Sequence, residues 1–216
     1  MNQNNDLKIK VCGLTQMLQI RELIDLNIDF LGFIFYEKSP RFVLNHLNLK
    51  NIAEIPHFRK VGVFVNESIK GIVETVNEAQ LDIVQMHGNE DEIFIQRLKQ
   101  TLGENIKIIK VFRIENQMPA IESWNLDEID YFLFDTDSKA FGGTGQTFNW
   151  SILNQIEIPK PYFLSGGISL ENFNQMFLIK NKPFAIDINS KFEIQPGIKD
   201  LEKIKLFKSK ISNYEL

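Results

Sequence analysis

The chain has 216 residues, enough to bury one sizeable core, and its 44% hydrophobic and 24% charged residues exclude global disorder. A formal net charge of −4 argues against nonspecific binding to nucleic acid or an anionic membrane as its main task. One cysteine excludes an intramolecular disulfide or a multi-cysteine zinc site, and a lone thiol suits a reducing cytoplasm better than secretion.

Read in order, the chain alternates between two periodicities. Residues 8–12, Lys-Ile-Lys-Val-Cys, form a short β-branched run that Gly13 ends. Residues 16–27 place Met17, Ile20, Leu23 and Ile24 on one helical face. Apolar runs then return at 29–35, 61–65, 82–86, 106–112, 131–134, 162–164 and 184–188. Amphipathic stretches fill most of the gaps, notably 68–79, 90–102, 169–179 and 199–212. Each interval holds one strand, one helix and two loops, and strands that are apolar throughout suit a parallel sheet covered by helices. Eight such units predict an α/β fold, a single (β/α)8 TIM barrel domain over residues 1–216, with its longest strand-to-helix loops after strands 2 and 6. A doubly wound sheet is the alternative, but KVCGLT (10–15) is not a dinucleotide loop and no Walker-type phosphate loop is present. The first six residues lack an apolar signal region, and no apolar run reaches the roughly 20 residues of a membrane span.

Barrel chemistry lies just past the carboxyl ends of the strands. Here those positions carry Cys12-Gly13, Ser39-Pro40-Arg41, His87-Gly88, Arg113, Asp135-Thr136, Ser165-Gly166-Gly167, Asp187 and Asn189-Ser190. Gly166 and Gly167, followed by a helix expected near 169, pair with Asn189 and Ser190 after strand 8 as a phosphate site. Cys12 and Asp135 end strands 1 and 6, on separated parts of the rim, so one can take a proton from a small molecule while the other supplies one. A thiol with a lowered pKa would serve as such a base. The plain readings are a buried Cys12 acting as a small apolar residue and Asp135 as a turn residue. His87 reads as a wall of the site, His46 and His57 fall in the second βα interval, and Trp124 and Trp150 read as packing.

Taken together, KVCGLT (10–15), GFIFYEKSPRF (32–42), KVGVFVN (60–66), VQMHGNE (84–90), FDT (134–136), FGGTGQTFNW (141–150), LSGGISLENF (164–173) and IDINSKFEIQPGIKD (186–200) resemble the phosphoribosylanthranilate isomerase family of tryptophan biosynthesis. The blocks stand in the family's order over nearly the whole chain. The resemblance implies an Amadori rearrangement of N-(5-phosphoribosyl)anthranilate to 1-(2-carboxyphenylamino)-1-deoxyribulose 5-phosphate. It implies Cys12 as general base, Asp135 as general acid, Arg41 near the anthranilate carboxylate and Asp187 as a substrate-positioning residue. Gly166, Gly167, Asn189 and Ser190 match the phosphate cradle. The chemistry needs neither metal nor cofactor, because the iminium formed on ring opening acidifies the neighbouring C2–H. The implied partner is a small phosphosugar, held in an acidic protein by Arg41, with Arg113 or Lys191 as further cations.

Two positions depart from the family pattern. Lys191 stands where a glycine is common, and Gln146 where many members have lysine. Three rivals remain. The related histidine-pathway isomerase uses an aspartate in place of Cys12. A Schiff-base barrel would need Lys107 or Lys110 on the inner face. A non-catalytic phosphosugar-binding barrel has no need of an acid and base together. The helices show no outward apolar stripe, which leaves monomer or homodimer open.

Overall fold

The computed structural model describes residues 7–115, 117, 119, 121, 124, 127–136 and 147–212. Eight parallel strands close into a barrel in chain order: β1 (Lys8–Val11), β2 (Phe30–Ile34), β3 (Lys60–Phe64), β4 (Ile83–Met86), β5 (Lys107–Ile114), β6 (Tyr131–Thr136), β7 (Tyr162–Leu164) and β8 (Ala185–Ile188). All eight strands read from the sequence are present, within a residue or two at each end. The ladder closes where β1 pairs with β8, setting Lys10 beside Asp187. Outside it lie α1 (Met17–Asp25), α2 (Leu49–Ala53), α3 (Ile69–Ala79), α4 (Glu92–Leu102) and α5 (Leu201–Ser212). A short antiparallel pair, β9 (Glu193–Gln195) and β10 (Ile198–Lys199), follows β8 and takes one residue, Lys199, assigned above to the last amphipathic stretch.

Side chains alternate across a strand, so the apolar runs feed two cores. The inner face holds Phe30, Val61, Ile83, Ile109, Val111, Leu133, Phe163 and Ala185 in a plug at the amino end of the barrel. The intervening residues, among them Leu31, Phe33, Ile108, Phe112, Phe132, Phe134 and Ile186, pack outward against the helices. The many phenylalanines fill both layers, for example Phe30 edge-on to Phe163 at 5.1 Å and Phe112 edge-on to Phe132 at 5.1 Å.

A recurring sequence device fixes the amino end. Asp29, Asp82 and Asp130 each stand one place before an even-numbered strand. Their carboxylates accept from the Ile9, Lys60 and Ile108 backbone N–H groups at 2.9, 2.8 and 2.9 Å. Each aspartate thus ties an odd strand to the next even one. Nearby, the buried Lys60 ammonium donates to the Ile52 and Ala53 carbonyls at 3.2 Å and to Ala79 at 3.3 Å, capping the ends of α2 and α3.

One expected helix is corrected. The stretch 169–179 is not an α-helix; it holds a 3-10 helix over Phe173–Leu178. Local side-chain bonds explain this. Asn172 accepts from the Ser169 N–H at 2.8 Å and donates to the Gly167 carbonyl at 2.9 Å, which fixes a turn where the first helical turn would form. The expected loop after strand 2 is present and contains a 3-10 turn at Val43–Asn45. Residues 142–146, including Gln146, lie outside the described residues. No helix among the described residues is long and apolar enough to cross a membrane.

Candidate active site

Above the apolar plug the inner face turns polar. Two residues on from six of the eight plug positions come Gly32, Gln85, Arg113, Asp135, Ser165 and Asp187, with Lys10 and Cys12 on the same face of β1. Lys10, Gln85, His87, Asp135 and Asp187 are all buried, and so is Cys12. This polar layer lies at the carboxyl end of the strands, where the sequence placed the site.

On one side, Asp135 ends β6. Its Oδ1 accepts from the Thr136 N–H at 2.8 Å, and its Oδ2 lies 3.4 Å from His87 Nε2. Gln85 Nε2 sits 2.9 Å from His87 Nδ1; with the amide donating, the imidazole carries its proton on Nε2, facing Asp135. His87 therefore stands beside Asp135, as a wall of the site. Gly166, at φ +87°, makes room here: a Cβ would lie 2.4 Å from Thr136 Oγ1 and 3.3 Å from Asp135 Oδ1.

On the other side, Lys10 Nζ contacts Asp187 Oδ1 at 2.9 Å, with both side chains buried. Burial works to lower the Lys10 ammonium, but Asp187 and Cys12 more than reverse it and hold it above the ordinary lysine range. Burial raises Asp187 while Lys10 pulls it down; we take the pair as charged, because the contact distance and the strengthened ammonium agree. Burial pushes the Cys12 thiol up. Lys10 and Lys199 offset part of that rise, and Asp187 adds to it. The resting thiol is thus less acidic than the sequence led us to expect, and its stabilising charges are lysines. Asp187 also interacts electrostatically with Asp135 and His87, so its charge bears on both candidate proton-transfer groups.

Arg41 comes in from the loop after β2. Its Nε and Nη2 grip Glu193 at 2.7 to 3.0 Å. Lys199 Nζ donates to Glu193 Oε1 at 2.7 Å and to Asn189 Oδ1 at 2.9 Å. Burial would raise the Glu193 carboxyl, but Arg41 and Lys199 together hold it below the usual range. Gly13, at φ +75°, allows the close approach, since a Cβ there would lie 2.7 Å from Arg41 Cδ.

The proposed phosphate residues divide. Gly166 and Gly167 both take positive φ, +87° and +65°. Ser190 opens a three-residue 3-10 turn, and the Asn189 side-chain oxygen is engaged by Lys199. The helix start expected at 169 is absent, so no α-helix N-terminus follows Gly166 and Gly167 there. Lys191 is exposed. Arg113 reaches Asn89 at the mouth of the barrel.

The lysines of the Schiff-base rival face elsewhere. Lys107 pairs with Asp130 at 2.9 Å at the amino end of β5. Lys110 points outward, donating to the Glu90 carbonyl at 3.0 Å beneath Trp124. Trp124 packs edge-on to Phe112, and Trp150 is buried, as the packing reading held. His46 is exposed on the long loop, and His57 bonds the Ile28 carbonyl at 3.0 Å before β3. Among the described residues no group of three histidine, cysteine or acidic side chains is placed to hold a metal.

Sequence reasoning gave no role to Lys10, Gln85, Glu193 or Lys199. Lys10 and Gln85 left a signal, since period-two alternation puts them on the same faces as Cys12 and His87.

Residues 9–210 match the family model described as N-(5'phosphoribosyl)anthranilate (PRA) isomerase. The chain belongs to this family. An N-(5'-phosphoribosyl)anthranilate isomerase from Petrotoga mobilis is 42% identical over 205 residues, covering 92% of this chain and 94% of that protein. The crystal structure of phosphoribosyl anthranilate isomerase from Thermotoga maritima superposes with a TM-score of 0.80 at 31% identity, covering 96% of this chain and all (100%) of that one. Another isomerase crystal structure, at 29% identity and TM-score 0.75 over 96% of this chain and 100% of that one, holds reduced 1-(o-carboxyphenylamino)-1-deoxyribulose 5-phosphate.

Proposed function

We propose that this chain isomerises N-(5-phosphoribosyl)anthranilate to 1-(2-carboxyphenylamino)-1-deoxyribulose 5-phosphate in tryptophan biosynthesis, with Asp135 as general acid and Cys12 as general base. The observation that carries the roles is a buried thiol and a buried carboxyl at the ends of β1 and β6 in one polar layer, with Asp187 coupled to both. Asp135 gives its proton to the ribose ring oxygen, and the C1–O bond breaks as the anilino nitrogen forms an iminium. The Cys12 thiolate then removes the C2 proton. The C–H electron pair moves into C1–C2, the iminium π pair returns to nitrogen, and the enolamine relaxes to the ketone. The two transfers occur on opposite sides of the sugar, which is why two residues share them.

Arg41 is the cation for the anthranilate carboxylate, and its grip on Glu193 through Nε and Nη2 fixes the guanidinium plane. The loop N–H groups at Gly166, Gly167 and Asn189-Ser190 serve the phosphate. The sole cysteine works as a free thiol, which favours a reducing, cytoplasmic location. The test follows loss of anthranilate-type fluorescence with freshly made substrate. Cys12→Ala and Asp135→Asn are each expected to lower kcat by at least ~10²-fold, as for loss of a general base or acid, with unfolding midpoints retained. Near wild-type turnover in either variant overturns that residue's role.

A further inference from the structure

The charged groups around Cys12 do not balance. Lys10 stands two residues before it on the same face of β1 and shares Asp187 of β8 at 2.9 Å. Lys199 of β10 approaches from the hairpin side, bound to Glu193 at 2.7 Å, and Glu193 also holds Arg41. The strand on the other flank, β2, offers only Gly32, whose backbone lies against the thiol. Three cations and two carboxylates therefore surround a neutral thiol, a surplus of one positive charge in a buried place. A thiolate is the anion that closes this sum. Buried charges of one sign are costly unless paired, so the surplus lowers the cost of ionising the sulfur and works against the upward push of burial.

We propose that Lys10 is the positioning residue that makes Cys12 a base, by dividing its ammonium between Asp187 and the cysteine sulfur, with Lys199 closing the second side. The assignment rests on the reading of Cys12 as general base. Lys10 touches no reacting atom; it acts through the sulfur. Burial holds the thiol above its ordinary range, and the two lysines offset part of that rise. An anionic substrate carboxylate at Arg41 would weaken the positive field, so Lys10, on the same face of β1 as the sulfur, must supply most of the stabilisation. Electrostatically Lys10 is the larger of the two lysine influences on Cys12 and Lys199 the smaller. Asp187 opposes both, since its own negative charge competes for the Lys10 ammonium.

That opposition gives the test a sign. Cys12 is the only cysteine in the chain, so alkylation by iodoacetamide and thiolate absorbance near ~240 nm both report on it alone. Lys10→Met should raise the apparent thiol pKa by at least one unit and slow alkylation at neutral pH by about tenfold or more. Asp187→Asn should shift the titration the other way and speed alkylation. Lys10→Arg, which keeps the charge, should stay close to wild type. In turnover, the acidic limb of the kcat/KM profile should move up with Lys10→Met while the alkaline plateau is largely kept. A merely structural lysine would scale the whole profile without moving the limb. Should Lys10→Met fail to fold, Asp187→Asn carries the test alone. Titration curves that superimpose on wild type, or that move in the same direction in both variants, overturn the proposal. Full turnover in Cys12→Ala would instead refute the base assignment, and the thiol titration would still stand as its own result.

Discussion

Gly32 offers a way to disturb the base without touching any polar group. It faces inward from β2, and a Cβ built on it would lie 2.9 Å from the Cys12 Cα and 3.0 Å from Sγ. Non-bonded carbons rest at about 3.5–4.0 Å, so Gly32→Ala must separate β1 from β2 locally by roughly half an ångström to one ångström. The nearest atom is backbone, and no rotamer change relieves it. Overpacking of this kind costs about 1–3 kcal/mol, which for a chain of this size lowers the unfolding midpoint by roughly 3–10 °C. Its effect on chemistry is larger in proportion. A shift of ~1 Å in a reacting group can cost on the order of 10²-fold in rate.

The expected result is a folded Gly32→Ala variant with kcat reduced roughly 10- to 100-fold and KM changed much less. On the proposed roles the substrate's carboxylate and phosphate are held by other loops, so binding should survive. Gly62→Ala is the matched control. That glycine faces outward from β3, and its Cβ would meet the side-chain ends of Leu81 at 2.5 Å and Phe64 at 2.8 Å. It should lose stability and keep kcat. Steady-state fluorescence assays and thermal melts on both variants decide the matter. Equal kcat in Gly32→Ala and wild type, with the melt lowered as expected, would show that the thiol's position on β1 does not limit the reaction.

Two further outcomes follow from the amino end and the hairpin. Asp82→Ala leaves the Lys60 N–H without its 2.8 Å acceptor and should cost about 1–3 kcal/mol in urea unfolding with kcat unchanged; a lowered kcat would mean the strand tie reaches the site. Glu193 is held below its ordinary value of 4.5 by Arg41 and Lys199, against the upward push of burial. In the window between those two values the unfolded chain binds more protons than the folded one, so stability rises with pH there and is lost as acid protonates the folded carboxylate. Urea unfolding across roughly pH 3 to 6 should therefore show a shallower pH slope in Glu193→Gln than in wild type, and equal slopes would refute the link.

The strands were legible because each is a short apolar run bounded by polar or glycine residues, and the barrel because eight of them recur at regular intervals. Cys12, Asp135 and Asp187 were legible because a polar residue ending an apolar strand has few other places to go. The 169–179 segment misled because apolar residues at helical spacing also suit a 3-10 helix, and the deciding bonds come from the Asn172 side chain to the Ser169 N–H and the Gly167 carbonyl. The Arg41–Glu193 pair spans 152 residues of sequence, a separation at which no local pattern carries information. Lys199 was hidden for a different reason. Its neighbours are a charged run, which reads as solvated surface, yet the β9–β10 turn drives its ammonium into the barrel mouth, where it is 1% exposed.

That burial argues for what the network is for. Lys10, Lys199, Arg41, Asp187 and Glu193 are five charged groups in a small volume between β1, β8 and the hairpin. Taking such groups out of water costs several kcal/mol each, and well-packed apolar residues in their place are often as stable or more so. The amino end of the same barrel shows the apolar solution in use, with Phe30, Val61, Ile83 and Phe163 filling the interior. The chain therefore closes one end of its barrel with hydrocarbon and the other with paired charge. Stability alone would favour hydrocarbon at both ends. A substrate with a carboxylate and a phosphate, and on the proposed roles a thiol that must ionise out of water, account for the difference, because each needs fixed positive charge that bulk solvent would otherwise screen.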